Sequence, residues 1–149
     1  MIGSDDERLL REAIELSRNA PPSQQAFSVG SVIARRDGSI LTTGYSRERG
    51  GHSHAEHIAI EKAAALKLDL HDATLYTSLE PCSVRKSGLR ACVTRIVEAG
   101  IRRVVFAMRE PPVFVEGHGA DVLADAGIEV VELDADAPLV AQINAHLHP

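Results

Sequence analysis

The sequence predicts an α/β domain in three layers, α/β/α, with a mixed five-stranded sheet between the helices. Three observations predict it. From Thr74 onward, short β-rich apolar runs alternate with helical stretches, a pattern that calls for right-handed crossovers and parallel neighbouring strands. Ahead of them, Asp37-Gly38 between two β-rich runs signals a hairpin and so an antiparallel pair. The 149 residues carry no internal repeat, low-complexity tract or dividing linker, so residues 1–149 read as a single domain.

The elements follow in order. Ser4 or Asp5 is placed to cap a first helix running to about Asn19, with Leu9, Leu10, Ala13, Ile14 and Leu16 as its apolar stripe. Pro21-Pro22 ends it. Phe27 to Arg35 reads as a strand and Ile40 to Tyr45 as its return, with a polar loop from Arg47 to Ser53. Ala55 to Leu68 is rich in helix formers and reads as the second helix. Thr74 to Leu79 is the third strand, and Ala91 to Ala99 a third helix closed by Gly100. Arg103 to Met108 is the fourth strand, followed by a loop from Glu110 to Gly119. A short helix from Ala120 to Ala126 closes at Gly127, Ile128 to Leu133 is the fifth strand, and Pro138 to His146 is the last helix.

Composition narrows the function classes. The net charge of -5 argues against a nucleic-acid reader, which usually carries a basic stripe. Local basic clusters at Arg35-Arg36, Arg47 to Arg49, Arg85 to Arg90 and Arg102-Arg103 leave room for a small phosphorylated ligand. Arg102 and Arg103 are expected to face solvent at a strand start. Two cysteines are too few for a disulfide framework and suit a reduced compartment. The acidic start, MIGSDDERLL, is unlike a signal peptide, and no apolar run approaches a membrane span, so a cytoplasmic protein with no membrane partner is expected.

The chemistry is concentrated in His54-Ala55-Glu56, Pro81-Cys82 and Cys92. Zinc takes imidazole nitrogen and thiolate sulfur in a tetrahedral set, and a catalytic site leaves one of the four positions open. His54, Cys82 and Cys92 supply three ligands, which is what an open site requires. The expected elements bring them to one rim of the sheet, since His54 and Cys92 lie at helix starts and Cys82 at a strand end. Zn²⁺ with two thiolates and a neutral imidazole is formally uncharged, so its water is less acidified than at an all-histidine site and a nearby proton acceptor is useful. Glu56, two residues from a ligand, is that acceptor. It would take a proton from the water, pass one to the ring nitrogen, and deliver one to the leaving amine.

These residues resemble the cytidine deaminase-like zinc deaminase superfamily, whose signature pairs H-x-E with P-C-x-x-C. The nine residues between Cys82 and Cys92 depart from that short spacing. They are similar instead to the deaminase domain of the bifunctional riboflavin-biosynthesis deaminase/reductase. Further similar stretches are Val29-Gly30-Ser31-Val32-Ile33, Thr74-Leu75-Tyr76, Leu79-Glu80-Pro81-Cys82-Ser83, Glu98-Ala99-Gly100-Ile101 and Ala126-Gly127-Ile128-Glu129-Val130. The resemblance spans roughly residues 5 to 133. It implies a cytidine deaminase-like fold, Zn²⁺ held by His54, Cys82 and Cys92, Glu56 as proton shuttle, and a homodimer or homotetramer. The implied activity is hydrolytic deamination of an aminated pyrimidine nucleoside or nucleotide, releasing ammonia. The rival readings are a dCMP/cytidine-type or purine-base deaminase and, in another class, a non-catalytic zinc-binding assembly subunit. Departures cluster around the substrate: Ala26 stands where the family's substrate-contacting Asn would be, and Glu110-Pro111-Pro112-Val113 replaces Asp-Pro-Asn-Pro.

Candidate substrate contacts are Phe27, Ala55, Pro81, Ser83, Arg85, Lys86, Arg90 and His118. Each has a plainer reading. Phe27 reads equally as core, the three basic residues as a solvated loop, and His118 between two glycines as loop punctuation. Glu80 is expected chiefly to accept loop hydrogen bonds, and His52 and His57 to lie outside the ligand set.

Overall fold

The computed structural model describes residues 2–83, 91–112 and 118–147. Helix α1 (Ser4–Leu16) continues as a 3-10 turn over Ser17–Asn19. Strands β1 (Gly30–Ala34) and β2 (Ile40–Tyr45) form the hairpin, followed by α2 (Ala55–Ala65) and β3 (Thr74–Leu79). Next come α3 (Cys92–Glu98), β4 (Arg103–Met108), α4 (Gly119–Asp125), β5 (Glu129–Glu132) and α5 (Ala137–Ile143), which ends in a 3-10 turn over Ala145–Leu147.

The five strands lie in the order β2-β1-β3-β4-β5. β1 pairs antiparallel with β2 and with β3; β3–β4 and β4–β5 are parallel. This is the mixed sheet expected from the hairpin and the later alternation. The two faces are covered separately, giving three layers. On one face Val32, Ala34, Tyr76 and Val105 pack with Leu9, Leu10, Ala13 and Ile14 of α1 and Val140 of α5. On the other, Ile33, Leu75 and Val104 pack with Ala59 and Ala63 of α2, Val93 and Ile96 of α3, and Leu123 of α4. β1 and β3 are buried along their whole length, while the edge strands β2 and β5 are partly exposed, as their polar residues require.

The ends of several elements differ from expectation, each for a local reason. α1 is not capped by the side chain of Ser4 or Asp5. Its N-cap position is Gly3, whose N–H donates to Asp6 Oδ2 at 2.9 Å. α2 stops at Ala65 rather than Leu68 because Lys67 takes a left-handed φ of 57°. Leu68 N–H then donates to Ala63 and Lys67 N–H to Ala64, a glycine-type helix ending made without glycine. β1 begins at Gly30, not Phe27, because side chains serve the preceding amides: Ser28 N–H donates to Asn144 Oδ1 and Val29 N–H to Ser46 Oγ. Arg103 is only partly exposed rather than facing solvent. It donates two hydrogen bonds to buried Asp6, at 2.9 and 2.8 Å, and Asp6 also accepts from Tyr76. Among the described residues, no helix is long and apolar enough to cross a membrane.

Candidate metal centre and active site

The antiparallel and parallel pairings put the start of β1 and the ends of β2, β3 and β4 at one rim of the sheet. β2 leads into His54, the N-cap residue of α2. That helix can start so close to the sheet because Gly44 has no side chain: a Cβ there would lie 2.3 Å from Ala55 O. Thr42 Oγ1 donates to Ala59 O at 2.9 Å and Lys62 Nζ to Thr43 O at 2.7 Å, fastening α2 to β2. β3 leads through Pro81 to Cys82, and Cys92 is the first residue of α3.

Three ligand-type atoms converge there. His54 Nδ1 lies 3.3 Å from Cys92 Sγ and 3.6 Å from Cys82 Sγ, and the three atoms fall within 4.8 Å of one another. Tetrahedral zinc with bonds of about 2.3 Å to sulfur and about 2.0–2.1 Å to nitrogen sets such N and S atoms about 3.6 Å apart. The donor set and its spacing therefore fit zinc. Both sulfurs are buried, Cys82 at 7% exposure and Cys92 at 0%. Cys92 N–H donates to Cys82 Sγ at 3.2 Å, and Val93 N–H to Cys82 O at 3.2 Å, so the start of α3 is built around Cys82. The Cys82 thiol is held down at about 4, first by its hydrogen bond with the Cys92 side chain and then by His54 and the Cys92 amide, against the opposing effect of burial. A deprotonated sulfur is the form that binds metal.

Carboxylates surround this cluster. Glu56, in the first turn of α2, is 4% exposed. Glu80 is buried between β3 and the metal-binding turn, and it ties two chain segments together. Its Oε1 accepts from Glu110 N–H at 3.0 Å and its Oε2 from Ala120 N–H at 2.8 Å. This is the hydrogen-bonding role expected of it. Gly119 allows the fit, since a Cβ there would lie 1.8 Å from Pro81 O.

Glu110 went unremarked as a site residue in the sequence. Its Oε2 is buried and has no hydrogen-bond partner among the described residues. Burial pushes its carboxyl up to about 8, reinforced by the negative charges of Cys82, Glu56 and Glu80. The available signal was its position just after a strand at the carboxyl rim of the parallel part of the sheet, where ligand crevices lie.

The remaining candidates divide. Ala55 and Pro81 are buried beside the ligands. His118 N–H donates to Ser83 Oγ at 3.1 Å, so these two meet next to Cys82. Phe27 packs in the core cluster of α1 and α5. Arg85, Lys86 and Arg90 lie outside the described residues. His52 is exposed, His57 pairs with Glu61, and neither belongs to the three-residue cluster. The basic run at Arg47 to Arg49 is structurally committed. Arg47 binds carbonyls of residues 21 and 27, and Arg49 bridges to Glu61 at 2.7 Å.

Comparison with known proteins agrees with this geometry. Residues 3–108 match the family described as "Cytidine and deoxycytidylate deaminase zinc-binding region". The chain is 41% identical over 128 residues to the Schizosaccharomyces pombe protein named diaminohydroxyphosphoribosylamino-pyrimidine deaminase, covering 85% of this chain and 31% of that one. It is 34% identical to the riboflavin biosynthesis protein RibD of Aquifex aeolicus, covering 87% and 35%. The chain thus spans about a third of the length of these relatives. Among solved structures, the Aspergillus oryzae Rib2 deaminase in complex with DARIPP superposes with a TM-score of 0.84 at 27% identity, covering 97% of this chain and 92% of that one.

Proposed function

The chain belongs to the zinc-binding cytidine and deoxycytidylate deaminase family, and on that premise we propose that it is a zinc-dependent hydrolytic deaminase of an aminated pyrimidine carrying a phosphorylated sugar-derived tail. The observation that carries this reading is the meeting of His54, Cys82 and Cys92 at zinc-ligand spacing beside buried Glu56. The named activity of the 41% identical relative and the DARIPP complex of the A. oryzae deaminase support the substrate class.

In this reading His54, Cys82 and Cys92 hold the metal, and residues 1–149 act as one deaminase unit. Zinc, when bound, acidifies a coordinated water and so supplies the nucleophile at neutral pH. The chain's own residues manage the protons. Glu56 takes one from the attacking water and delivers it to the ring nitrogen. It then takes the hydroxyl proton of the tetrahedral adduct and passes it to the departing amine. The amine-bearing carbon gains a C–O bond and loses its C–N bond, and ammonia leaves. Burial of Glu56 strengthens each transfer by excluding competing water. Ser83 and His118, joined beside Cys82, and Ala55 and Pro81, next to the ligands, are proposed pocket contacts. Arg85, Lys86 and Arg90 are proposed to meet the phosphate. Phe27 is proposed to back the pocket from the core. A cytoplasmic homodimer or homotetramer completes the reading, and a monomer by light scattering would count against it.

The experiment is a substrate panel. Zinc-loaded protein is assayed for ammonia release from diaminohydroxyphosphoribosylaminopyrimidine, DARIPP, their dephosphorylated forms, dCMP, cytidine and adenine. Turnover of a phosphorylated diaminopyrimidine well above the rest is expected. Preference for dCMP or cytidine would overturn the substrate class, and no ammonia from any of them would overturn the deaminase reading.

A further inference from the structure

Residues 20–29 belong to neither helix nor strand, yet the strand pairings run them toward the site. In the antiparallel pairing of β1 with β3, Ser31 lies opposite Thr77. Residues just before Gly30 therefore sit beside those just after Leu79, the turn that carries Cys82. In the pairing with β2, Gly30 lies opposite Tyr45, so the same residues also flank the loop that runs into His54.

A segment without regular structure has to satisfy its backbone polar groups by other means. Here side chains from distant elements do so. Asn144, fully buried in the C-terminal region, accepts from Ser28 N–H at 2.7 Å and donates to Ser28 O at 3.2 Å. Ser46 Oγ accepts from Val29 N–H at 2.8 Å. Arg47 makes the largest set. Its Nε and Nη2 donate to Pro21 O at 3.0 and 2.7 Å, its Nη1 to Phe27 O at 3.2 Å, and Nη2 also to Ser28 Oγ at 3.4 Å.

Three features set Arg47 apart from an ordinary surface arginine. Its backbone sits in the left-handed region, φ 61°, which non-glycine residues avoid unless their surroundings enforce it. Its N–H donates to Ser53 O at 2.7 Å, closing the loop immediately before His54. Among the described residues it has no carboxylate partner, and burial lowers its pKa. The planar fork serves carbonyls of this segment, a task lysine's single ammonium cannot reproduce. The two residues that follow fasten the same loop to α2, through the pairs Glu48–Lys62 at 2.6 Å and Arg49–Glu61. The loop is thereby held to α2, the helix that follows His54, on one side and, through Arg47, to residues 21–28 on the other.

We propose that Arg47 is a positioning residue for substrate: its guanidinium locks the wall of residues 21–28 to the loop that delivers His54, setting the distance between pocket wall and metal centre. The kinetic part rests on the deaminase reading above; the structural part does not.

The test uses zinc-loaded Arg47→Ala and Arg47→Lys, with Arg11→Ala, an exposed arginine of α1 paired with Asp136, as a control. Hydrogen exchange of a peptide covering residues 21–29 is compared with that of α2, alongside zinc content and steady-state kinetics. In Arg47→Ala, exchange in 21–29 should quicken by about tenfold or more while α2 and zinc content hold. KM should rise by about tenfold with kcat changing much less, because the misplaced wall costs substrate positioning. Arg47→Lys should fall between, added methylguanidinium should partly restore KM in Arg47→Ala, and Arg11→Ala should change neither readout. Unchanged exchange in 21–29, or a loss confined to kcat, overturns the proposal. So does failure of both Arg47 variants to fold, which would make the residue a fold stabiliser. If the wild-type protein turns over no aminopyrimidine, the functional reading falls, and the exchange data alone decide whether Arg47 holds the wall.

Discussion

The backbone N–H of Cys92 points at the sulfur of Cys82 from 3.2 Å, so the first amide of α3 is spent on a candidate metal-ligand atom just beyond the preceding strand. Val93 N–H also meets Cys82 O, so the start of α3 is fixed to Cys82 through both its sulfur and its carbonyl. The hydrogen bond favours thiolate, and it orients the sulfur as outer partners of metal ligands do.

Removal of the metal should destabilise the protein measurably. A ligand at a hundredfold excess over its Kd stabilises by about 2.7 kcal/mol. With about 2–4 °C per kcal/mol for a chain of this size, chelation should lower Tm by roughly 5–11 °C. Calorimetry before and after a strong chelator, with zinc added back, checks this. Cys92→Ala should lack both the stoichiometric zinc and the chelator effect. An unchanged Tm together with full activity after chelation would rule out the assigned ligand set.

Glu56→Gln keeps the shape of the side chain and removes the proton acceptor. Ammonia release should fall by roughly 10²–10⁴-fold, the range of general acid–base contributions, while zinc content by atomic absorption stays stoichiometric. Retained turnover would refute the shuttle role. Loss of zinc would mean that Glu56 holds the metal site together instead.

Glu110 predicts a pH effect on stability of definite sign. Its folded-state value, about 8, lies above that of an unfolded glutamate, so its protonated form is favoured by folding. The contribution is fully present below about pH 4.3 and is lost as pH rises through about 8. Cys82, held down at about 4, slopes the opposite way, so the informative quantity is a difference. In metal-free protein, the Tm of Glu110→Gln relative to wild type should rise between pH 5 and 8.5. A flat difference across that range would show that Glu110 titrates normally.

At the far end of the sheet, Asp6 joins α1 to β3 and β4 through Tyr76 and Arg103. The Arg103 guanidinium holds the Asp6 carboxyl well below the usual carboxylate range, helped by Tyr76 and the Gly3 amide, while burial opposes. A depressed folded-state value means stability present above about pH 4 and lost as pH falls below it. Removing one partner of a buried pair costs about 3–5 kcal/mol. Arg103 keeps partial exposure and a second partner in Glu129, which places Asp6→Asn at or below the lower end of that range. Urea unfolding at pH 7 should show the loss, and the variant's stability should depend less on pH between 4 and 2. Equal acid sensitivity in variant and wild type would remove the pair from the account.

Much of this molecule was legible in the order of its residues. β2, β3 and β4 begin and end where alternation and turn chemistry put them, since those cues are local. The candidate zinc set was legible because its chemistry needs rare residue types: both cysteines of the chain and a histidine two residues from an acid. The early end of α2 was not, because Lys67 adopts a conformation that its side chain does not advertise. Nor was the late start of β1, where the partner of Ser28 is Asn144, 116 residues away.

The sequence by itself determined the layering, the leading hairpin, the parallel later strands and the candidate metal-binding side chains, all of which follow from periodicity, turn residues and ligand chemistry. Tertiary structure alone decided how Glu80, Glu110, Arg47 and Asp6 are used. An acid or an arginine in a sequence is an exposed charge by default. Only the fold sets its burial and brings up the amides, carbonyls or countercharges, and these turn Glu80 into a clamp, Glu110 into a carboxyl that retains its proton, and Arg47 into a brace.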